Sequence, residues 1–285
     1  QFASLIRGGT LSPPGRQASR IRPPMPDASP FLAVENLTKA FGGVRAVDSV
    51  SFTLAANEMR CVIGPNGCGK TTLFNLLTGY LPPTSGSIHF EGADIPGRPL
   101  YEIARAGIIR KFQVPSVFPG LTVDENLRIA LAGKANPGKV GTGFPSGFAK
   151  REGRAERIHI LERVRLDRHR HDVAGTLSHG QKQWLELALV LAGSPRLMLL
   201  DEPAAGMTRA EKQETIRLIR SVHDESGISA LVIEHDMDFV EALECEVMVM
   251  MLGRVVASGS YAAMRDDPMV REAYLGNGHT GGGHG

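Results

Sequence analysis

Short apolar runs alternate along the chain with amphipathic stretches, a pattern that favours buried parallel strands connected by helices. Three of these runs, Met59–Ile63, 197–200 and 230–233, are bounded by turn-forming or charged residues. Each run has the length of a strand, and its uniform apolarity is typical of a strand that is covered on both faces. The pattern therefore predicts an α/β fold built on a mainly parallel sheet.

Helix starts are marked by threonines that have a glutamate three residues later. Thr122 with Glu125 and Thr208 with Glu211 have this capping-box spacing. Helices are predicted over 122–132 and 154–166, on either side of a loop at 133–153 that is rich in Gly, Pro and Lys. We therefore expect a mainly helical insertion over about 121–177.

Both ends of the chain differ in composition from the rest. Residues 1–30 contain six prolines and four arginines, with no acidic residue before Asp27. A disordered tail is the main interpretation, and an acid-poor targeting peptide is the alternative. Residues 276–285 predict a flexible Gly/His tail, which leaves 31–275 as the folded domain. The chain begins with Gln1 rather than methionine, which leaves its natural start open.

Composition and charge exclude several functional classes of protein. The 285 residues include 32 Lys+Arg and 30 Asp+Glu, a formal net charge of +2, so we expect no nucleic-acid partner bound by general positive charge. Three cysteines indicate a reducing compartment without a disulfide framework. No run of 18 apolar residues is present, so the sequence does not predict a transmembrane helix.

The strongest local motif is GPNGCGKTT, which satisfies G-x-x-x-x-G-K-[ST]. Its glycines allow a tight loop whose backbone N–H groups face phosphate oxygens, and the helix that follows directs its positive end at the same anion. The lysine neutralises the β- and γ-phosphates of a nucleotide, and the first threonine is a magnesium ligand. The residues predicted to contact the nucleotide here are Gly64, Pro65, Asn66, Gly67, Cys68, Gly69, Lys70, Thr71 and Thr72.

One residue of this loop suggests additional chemistry. Backbone dipoles around Cys68 are expected to lower the pKa of its thiol, which would make it reactive when the loop holds no nucleotide. The hypothesis requires that ATP protect Cys68 from thiol reagents.

Two further segments have phosphate-related chemistry. In RLMLLDEP an apolar strand ends in Asp201, expected to hold magnesium, and Glu202, expected to polarise the attacking water. In LSHGQKQ, Ser178 is predicted to cap a buried helix over 181–192, and Gly180 permits a phosphate to approach the backbone. An ordinary helix cap is the alternative role for Ser178.

The order of the phosphate loop, RKFQVP, LSHGQ, LLDEP and VIEHDM resembles the nucleotide-binding subunit of an ATP-binding cassette (ABC) transporter over about residues 31–275. The resemblance implies a P-loop NTPase core with a mainly parallel sheet, an antiparallel β subdomain and an inserted α-helical subdomain. It also implies ATP and Mg²⁺ as cofactors, and a head-to-tail dimer with a second ATPase subunit. Membrane permeases, and indirectly a periplasmic substrate-binding protein, are the further partners implied, which places the chain at the cytoplasmic face of the membrane.

The resemblance also assigns roles to single residues. Gln113 matches the glutamine that contacts magnesium and water, and His235 matches the histidine that contacts the γ-phosphate. Phe41 matches the aromatic residue that stacks on adenine, with a place in the core as the alternative. Ser178, Gly180 and Gln181 match the signature that completes the site of the other subunit.

Longer segments resemble one class within this family. GIIRKFQVPSVFPGLTVDENL, DEPAAGMT and VIEHDMDFV are similar to ATPase subunits of branched-chain amino-acid importers, and SHGQKQWLE with RKFQ-x-P-[ST]-VF most resembles the urea importer. Two departures from the general pattern are present, His179 at a signature glycine and the pair Met207-Thr208 after the catalytic glutamate. We therefore expect an importer ATPase for urea or a related amide, with branched-chain amino-acid import as the alternative. A non-transport ABC ATPase and a phosphoryl-transfer kinase are the more distant alternatives.

Overall fold

The computed structural model describes residues 30–111, 117–135, 152–268 and 270–271. The strands among these residues are β1 (Leu32–Phe41), β2 (Val44–Leu54), β3 (Met59–Ile63), β4 (Ser85–Phe90), β5 (Ala93–Asp94), β6 (Ile108–Lys111), β7 (Leu197–Asp201), β8 (Ser229–Ile233), β9 (Glu246–Met251) and β10 (Arg254–Ser260). The α-helices are α1 (Lys70–Leu77), α2 (Leu100–Ala106), α3 (Val123–Ala135), α4 (Glu152–Arg163), α5 (His179–Ala192), α6 (Arg209–Ser226), α7 (Met237–Leu243) and α8 (Tyr261–Asp266). Short 3-10 helical turns lie at Asp167–His169 and Ala174–Thr176.

The described strands form two sheets. One is antiparallel, with the order β2-β1-β4-β5, and the other has the order β10-β9-β3-β8-β7-β6. Every neighbouring pair in the second sheet is parallel except β9 with β10. The predicted mainly parallel sheet and antiparallel β unit are therefore confirmed.

The larger sheet separates two apolar cores because successive strand residues point to opposite faces. In β3, Cys61 and Ile63 pack into the core shared with α5 and α6, whereas Val62 packs into the core shared with α1 and the antiparallel sheet. Both cores contain fully buried side chains, so each face of β3 is covered. This burial explains the uniformly apolar sequence of the strand.

The predicted helix starts are present, with small differences at the ends. Thr122 Oγ1 accepts a hydrogen bond from the Glu125 N–H at 3.2 Å, and Thr208 makes the equivalent bond with Glu211. Helix α3 continues to Ala135, past the predicted end at 132, and α4 ends at Arg163 rather than 166. The chain leaves α4 through Arg165, which adopts a left-handed φ of 57°.

The domain limits expected from the sequence stay a prediction. The predicted tails lie outside the described residues except for Pro30, as does most of the predicted loop at 133–153. Within the described ranges, no helix combines the length and the apolar character needed to cross a bilayer.

Helix α5 is mainly a core element, as its apolar sequence predicts. Leu185, Leu187 and Leu191 are buried in the core beneath the larger sheet. Trp184, the single tryptophan of the chain, is half-buried, and its indole N–H donates to Thr215 Oγ1 of α6 at 2.9 Å. This bond joins α5 to α6 in the second turn of each helix.

Candidate functional site

Three adjacent strands of the parallel sheet place the predicted chemistry at one edge. Strand β3 continues into the phosphate loop (residues 64–72), β7 ends at Asp201 with Glu202 directly after it, and β8 leads to His235. The strands lie side by side in the order β3-β8-β7, and they run in the same direction. The carboxyl ends of parallel strands share an edge, where ligands of open α/β sheets bind.

The phosphate loop requires glycine at two positions of close approach. A Cβ at Gly64 would lie 2.1 Å from the carbonyl oxygen of Met250, and one at Gly69 would lie 2.1 Å from that of Ala46. Gly69 also has a φ of +106°, a conformation that glycine adopts readily, and it caps the start of α1. The loop is thus packed directly against neighbouring backbone.

Lys70 lies folded over this loop. Its Nζ donates to the carbonyl oxygens of Gly64 at 2.7 Å and Pro65 at 3.0 Å, and the residue is 8% exposed. Asn66, Gly67 and Thr71 are exposed, and Pro65 and Thr72 are half-buried. The loop therefore combines an exposed backbone segment and the exposed Thr71 with a lysine ammonium group folded against it, and these are the groups that binding a triphosphate requires.

The expectation that Cys68 has a lowered thiol pKa is wrong. Its side chain is buried, and this burial raises the pKa of the thiol. The charge of Lys70, whose Nζ lies 3.8 Å from Sγ, opposes the rise but is the smaller effect. A protonated, buried thiol is not the reactive group that the backbone dipoles suggested.

Asp201 is held by a cation that the sequence did not single out. The Arg110 guanidinium lies 2.7 Å from Asp201 Oδ2, and both side chains are almost fully buried. The other oxygen, Oδ1, is buried and makes no hydrogen bond within the described part of the chain. Asp201 therefore combines one neutralised oxygen with one that is available to a further ligand.

Glu202 and His235 are close together, as their predicted roles require. His235 Nδ1 lies 3.7 Å from Glu202 Oε1. Glu202 has a left-handed φ of 46°, and its N–H donates to the Ile233 carbonyl oxygen at 3.0 Å, which ties it to the end of β8. A carboxylate and an imidazole in this arrangement can accept and stabilise a proton taken from water.

Glu234 connects the two segments that carry these residues. Its carboxylate accepts hydrogen bonds from the Ala204 N–H at 3.1 Å and from the His235 N–H at 3.2 Å. The residue is 2% exposed, and burial raises the pKa of its carboxyl group above the usual value. Glu234 thus joins the turn after Glu202 to the turn that carries His235.

The signature segment forms a complete capping box at the start of α5. Ser178 Oγ accepts from the Gln181 N–H at 3.2 Å, and Gln181 Oε1 accepts from the Ser178 N–H at 2.9 Å. The Gln181 side-chain amide also lies 3.0 Å from His169 Nε2. His179 turns away from this helix end, because its Nε2 lies 2.8 Å from the Ala205 carbonyl oxygen. In the described part of the chain, no hydrogen bond joins the signature to the phosphate loop.

Phe41 ends β1, the residue is 49% exposed, and Lys39 Nζ lies 5.3 Å from the centre of its ring. The core alternative for this residue is therefore wrong, and a role in stacking on adenine stays a prediction. Gln113 lies outside the described residues, and its predicted contact with magnesium and water stays a prediction.

Comparison with known families decides the class of protein. The family model described as ABC transporter matches residues 47–205, and one described as branched-chain amino acid ATP-binding cassette transporter matches 254–280. The chain is an ATP-binding subunit of the ABC transporter family. This family hydrolyses ATP, so the chain is an ATPase, and the kinase alternative is wrong.

Characterised relatives place this ABC subunit in the branched-chain amino-acid class. It is 39% identical over 255 residues to the high-affinity branched-chain amino acid transport ATP-binding protein BraF of Pseudomonas aeruginosa, covering 87% of the chain and 98% of the relative. It is 37% identical over 257 residues to LivG of Escherichia coli, which bears the same description, covering 87% and 99%. These relatives favour the branched-chain alternative and do not support urea.

Solved structures agree with the cassette fold. The ADP conformation of MJ1267, an ATP-binding cassette of an ABC transporter, superposes with a TM-score of 0.75 at 31% identity, covering 87% of this chain and all of that one. A nucleotide-free ATP-binding cassette from an ABC transporter superposes with a TM-score of 0.74 at 31% identity, covering 86% of this chain and 99% of that one.

The ABC site contains groups that fit a magnesium ion. Mg²⁺ is usually bound by one or two protein oxygens together with the phosphates of its nucleotide. The free Oδ1 of Asp201 and the exposed hydroxyl of Thr71 provide that set at the edge where the phosphate loop begins.

Three residues around the ABC site were missed by the sequence analysis. Arg110 and Glu234 are buried charges, and each belongs to a segment that was identified for another residue, RKFQ for Gln113 and VIEHDM for His235. A charged residue within an apolar strand pattern was the available signal for both. His169 contacts Gln181 from a polar surface segment that contained no distinguishing pattern.

Proposed function

We propose that this ABC subunit is the ATP-hydrolysing motor of an importer for branched-chain amino acids. The observation that carries the proposal is the identity of 37–39% to branched-chain transport ATP-binding proteins over 98–99% of their length. The cargo itself is not expected to contact this chain. In this proposal, permeases and a periplasmic binding protein select the amino acid.

The proposed mechanism uses the residues that meet at the sheet edge. Phe41 stacks on adenine, the phosphate loop and Lys70 hold the phosphates, and Thr71, Asp201 and Gln113 hold Mg²⁺. When bound there, Mg²⁺ would supply positive charge to the phosphates. Glu202 accepts a proton from that water, and His235, 3.7 Å from Glu202, stabilises the charge that develops between the carboxylate and the γ-phosphate.

The proposed assembly is a head-to-tail dimer with a second ATPase subunit, either another copy or a related chain. Ser178, Gly180 and Gln181 of one chain then cover the nucleotide on the phosphate loop of the other. The helical insertion at about 121–177 transmits closure to membrane permeases, which places the chain on the cytoplasmic face of the membrane. Binding free energy drives closure, and hydrolysis permits reopening.

The proposed base is tested with Glu202→Gln. We expect this variant to retain ATP and to release phosphate about 10²–10⁴-fold more slowly, the usual contribution of a general base. Glu225→Gln, a change at a largely exposed side chain on α6, provides the control and should keep wild-type turnover. Wild-type turnover by Glu202→Gln would show that another group activates the water.

The cargo is tested by uptake in cells that lack this chain. Wild-type protein, but not Glu202→Gln, should restore uptake of radiolabelled leucine. Restored uptake of labelled urea with no effect on leucine would overturn the branched-chain assignment and leave the ATPase assignment intact.

A further inference from the structure

A carboxylate from α6 lies against the signature end of α5 in the same chain. Glu211 uses Oε2 to close the capping box of α6, accepting from the Thr208 N–H at 3.0 Å and from the Thr208 hydroxyl at 2.9 Å. Its other oxygen, Oε1, lies 3.4 Å from Ser178 Oγ. One carboxylate therefore joins the starts of two helices.

The same oxygen also fills the space beside Gly180. A Cβ placed on Gly180 would lie 2.5 Å from Glu211 Oε1, so the carboxylate occupies the space that a side chain at this position would need. Hydrogen bonds from Thr208, with smaller contributions from the Gly180 backbone and the Ser178 hydroxyl, lower the pKa of Glu211. The carboxylate is therefore ionised at neutral pH.

The position of this charge conflicts with the proposed dimer. In that dimer, Ser178 and Gly180 meet the γ-phosphate of the nucleotide that the other subunit holds. Two anions that use the same groups within a few ångströms repel each other, and the repulsion is strong where water is excluded.

We propose that Glu211 is a further residue of the composite ATP site. Before the dimer forms, its carboxylate lies against Ser178 and Gly180 of its own chain, and it must move away before the γ-phosphate held by the partner subunit can bind there. The inference rests on the proposed function, because it requires the head-to-tail dimer. Glu211 thereby sets the ATP concentration at which the dimer closes.

Glu211→Gln separates the charge from the helix cap. Glutamine retains an oxygen for the Thr208 N–H, since the capping box accepts either residue at this position. The change removes the negative charge from the vicinity of Ser178 and Gly180. Glu125→Gln is the matched control because Glu125 caps Thr122 on α3 with the same contacts, and its pKa is likewise lowered mainly by that threonine.

The experiment measures ATP-dependent dimerisation by light scattering, with every chain also carrying Glu202→Gln so that ATP persists. With Glu211→Gln added, the ATP concentration for half-maximal dimerisation should fall at least about five-fold. This is the effect of removing one negative charge about 4 Å from the γ-phosphate. With Glu125→Gln added, the ATP requirement should not change. Thermal unfolding without ATP confirms that each variant is folded.

The outcomes distinguish this inference from the proposed function. If Glu202→Gln dimerises and Glu211→Gln leaves the ATP requirement unchanged or raises it, the inference is overturned and the proposed dimer stands. If dimers form only when Glu211→Gln is present, both are supported. If no variant dimerises with ATP, closure of two copies of this chain is overturned, and the inference with it.

Discussion

At the scale of single residues, the buried Arg110 connects parts of the candidate site of this ABC subunit. The Arg110 guanidinium, besides contacting Asp201 at 2.7 Å, donates to Asn75 and lies 5.6 Å from the ring centre of Phe74. Asn75 and Phe74 belong to α1, the helix that follows the phosphate loop. Arg110 thus links Asp201, the proposed magnesium ligand, to the helix that follows the phosphate loop.

Replacing this arginine should affect stability strongly. Arg110→Met leaves Asp201 buried without its cation, and removing one partner of a buried pair costs about 3–5 kcal/mol of unfolding free energy. Arg217→Met removes an ion pair with Glu214 in which the arginine is largely exposed, and should cost about 0–1 kcal/mol. Urea denaturation of the two variants makes the comparison, and equal losses would show that the buried pair has no special weight.

At the scale of elements, the turn between β9 and β10 supports the phosphate loop. The Gly253 N–H donates to the Cys68 carbonyl oxygen at 3.0 Å, and the Asp48 N–H of β2 donates to the Gly253 carbonyl oxygen at 2.8 Å. Asp48 also pairs with Arg254 at 2.6 Å, in the strand that leaves this turn. The turn between β9 and β10 thereby connects the antiparallel sheet to the phosphate loop.

The ion pair that fixes this turn predicts a pH dependence. Hydrogen bonds from Arg254, then from Arg45, lower the pKa of Asp48 in the folded chain. The resulting stabilisation is present above the unfolded pKa of about 3.9, and it is lost as the pH falls through the lower folded value. Asp48→Asn should therefore lower Tm at pH 7, and the difference in Tm between the variant and the wild type should narrow below about pH 4. Thermal unfolding of both proteins across pH tests this dependence, and a difference in Tm that does not change with pH would contradict it.

Local patterns account for what could be predicted from the sequence. Met59–Ile63 forms β3 with the predicted limits, and α1 begins at Lys70, because strand length, glycine positions and helix starts are encoded by neighbouring residues. Contacts between distant segments could not be predicted in this way. Arg110 and Asp201 are 91 positions apart, and Glu234 lies 30 positions from Ala204. The pKa of Cys68 was misjudged for the same reason, since its burial depends on the tertiary structure.

At the scale of the whole molecule, each chain carries two separate parts of the proposed composite ATP site. The phosphate loop, Asp201, Glu202 and His235 share the edge of the parallel sheet, whereas Ser178 and Gln181 begin α5 in a separate capping box. The proposed dimer joins these halves between two chains. ATP hydrolysis should then require an intact phosphate loop in one chain and an intact signature in its partner.

Complementation between two inactive variants tests this division. Lys70→Ala removes the phosphate contact of its own chain, and Ser178→Arg blocks the contact with its partner's nucleotide. Each variant alone should be inactive, whereas a mixed dimer retains one intact composite site. An equimolar mixture should recover about one quarter of wild-type phosphate release, since about half of random dimers are mixed. Wild-type rates in either single variant would contradict shared sites.

The bond between Trp184 and Thr215 gives the molecule an intrinsic optical reporter. As the single indole of the chain, Trp184 is the source of any tryptophan fluorescence, and it lies between the helix of the signature and the helix of Glu211. A shift of either helix changes the polarity around this ring. Its emission spectrum can therefore follow rearrangement of the signature in real time, in unlabelled protein and at concentrations too low for scattering.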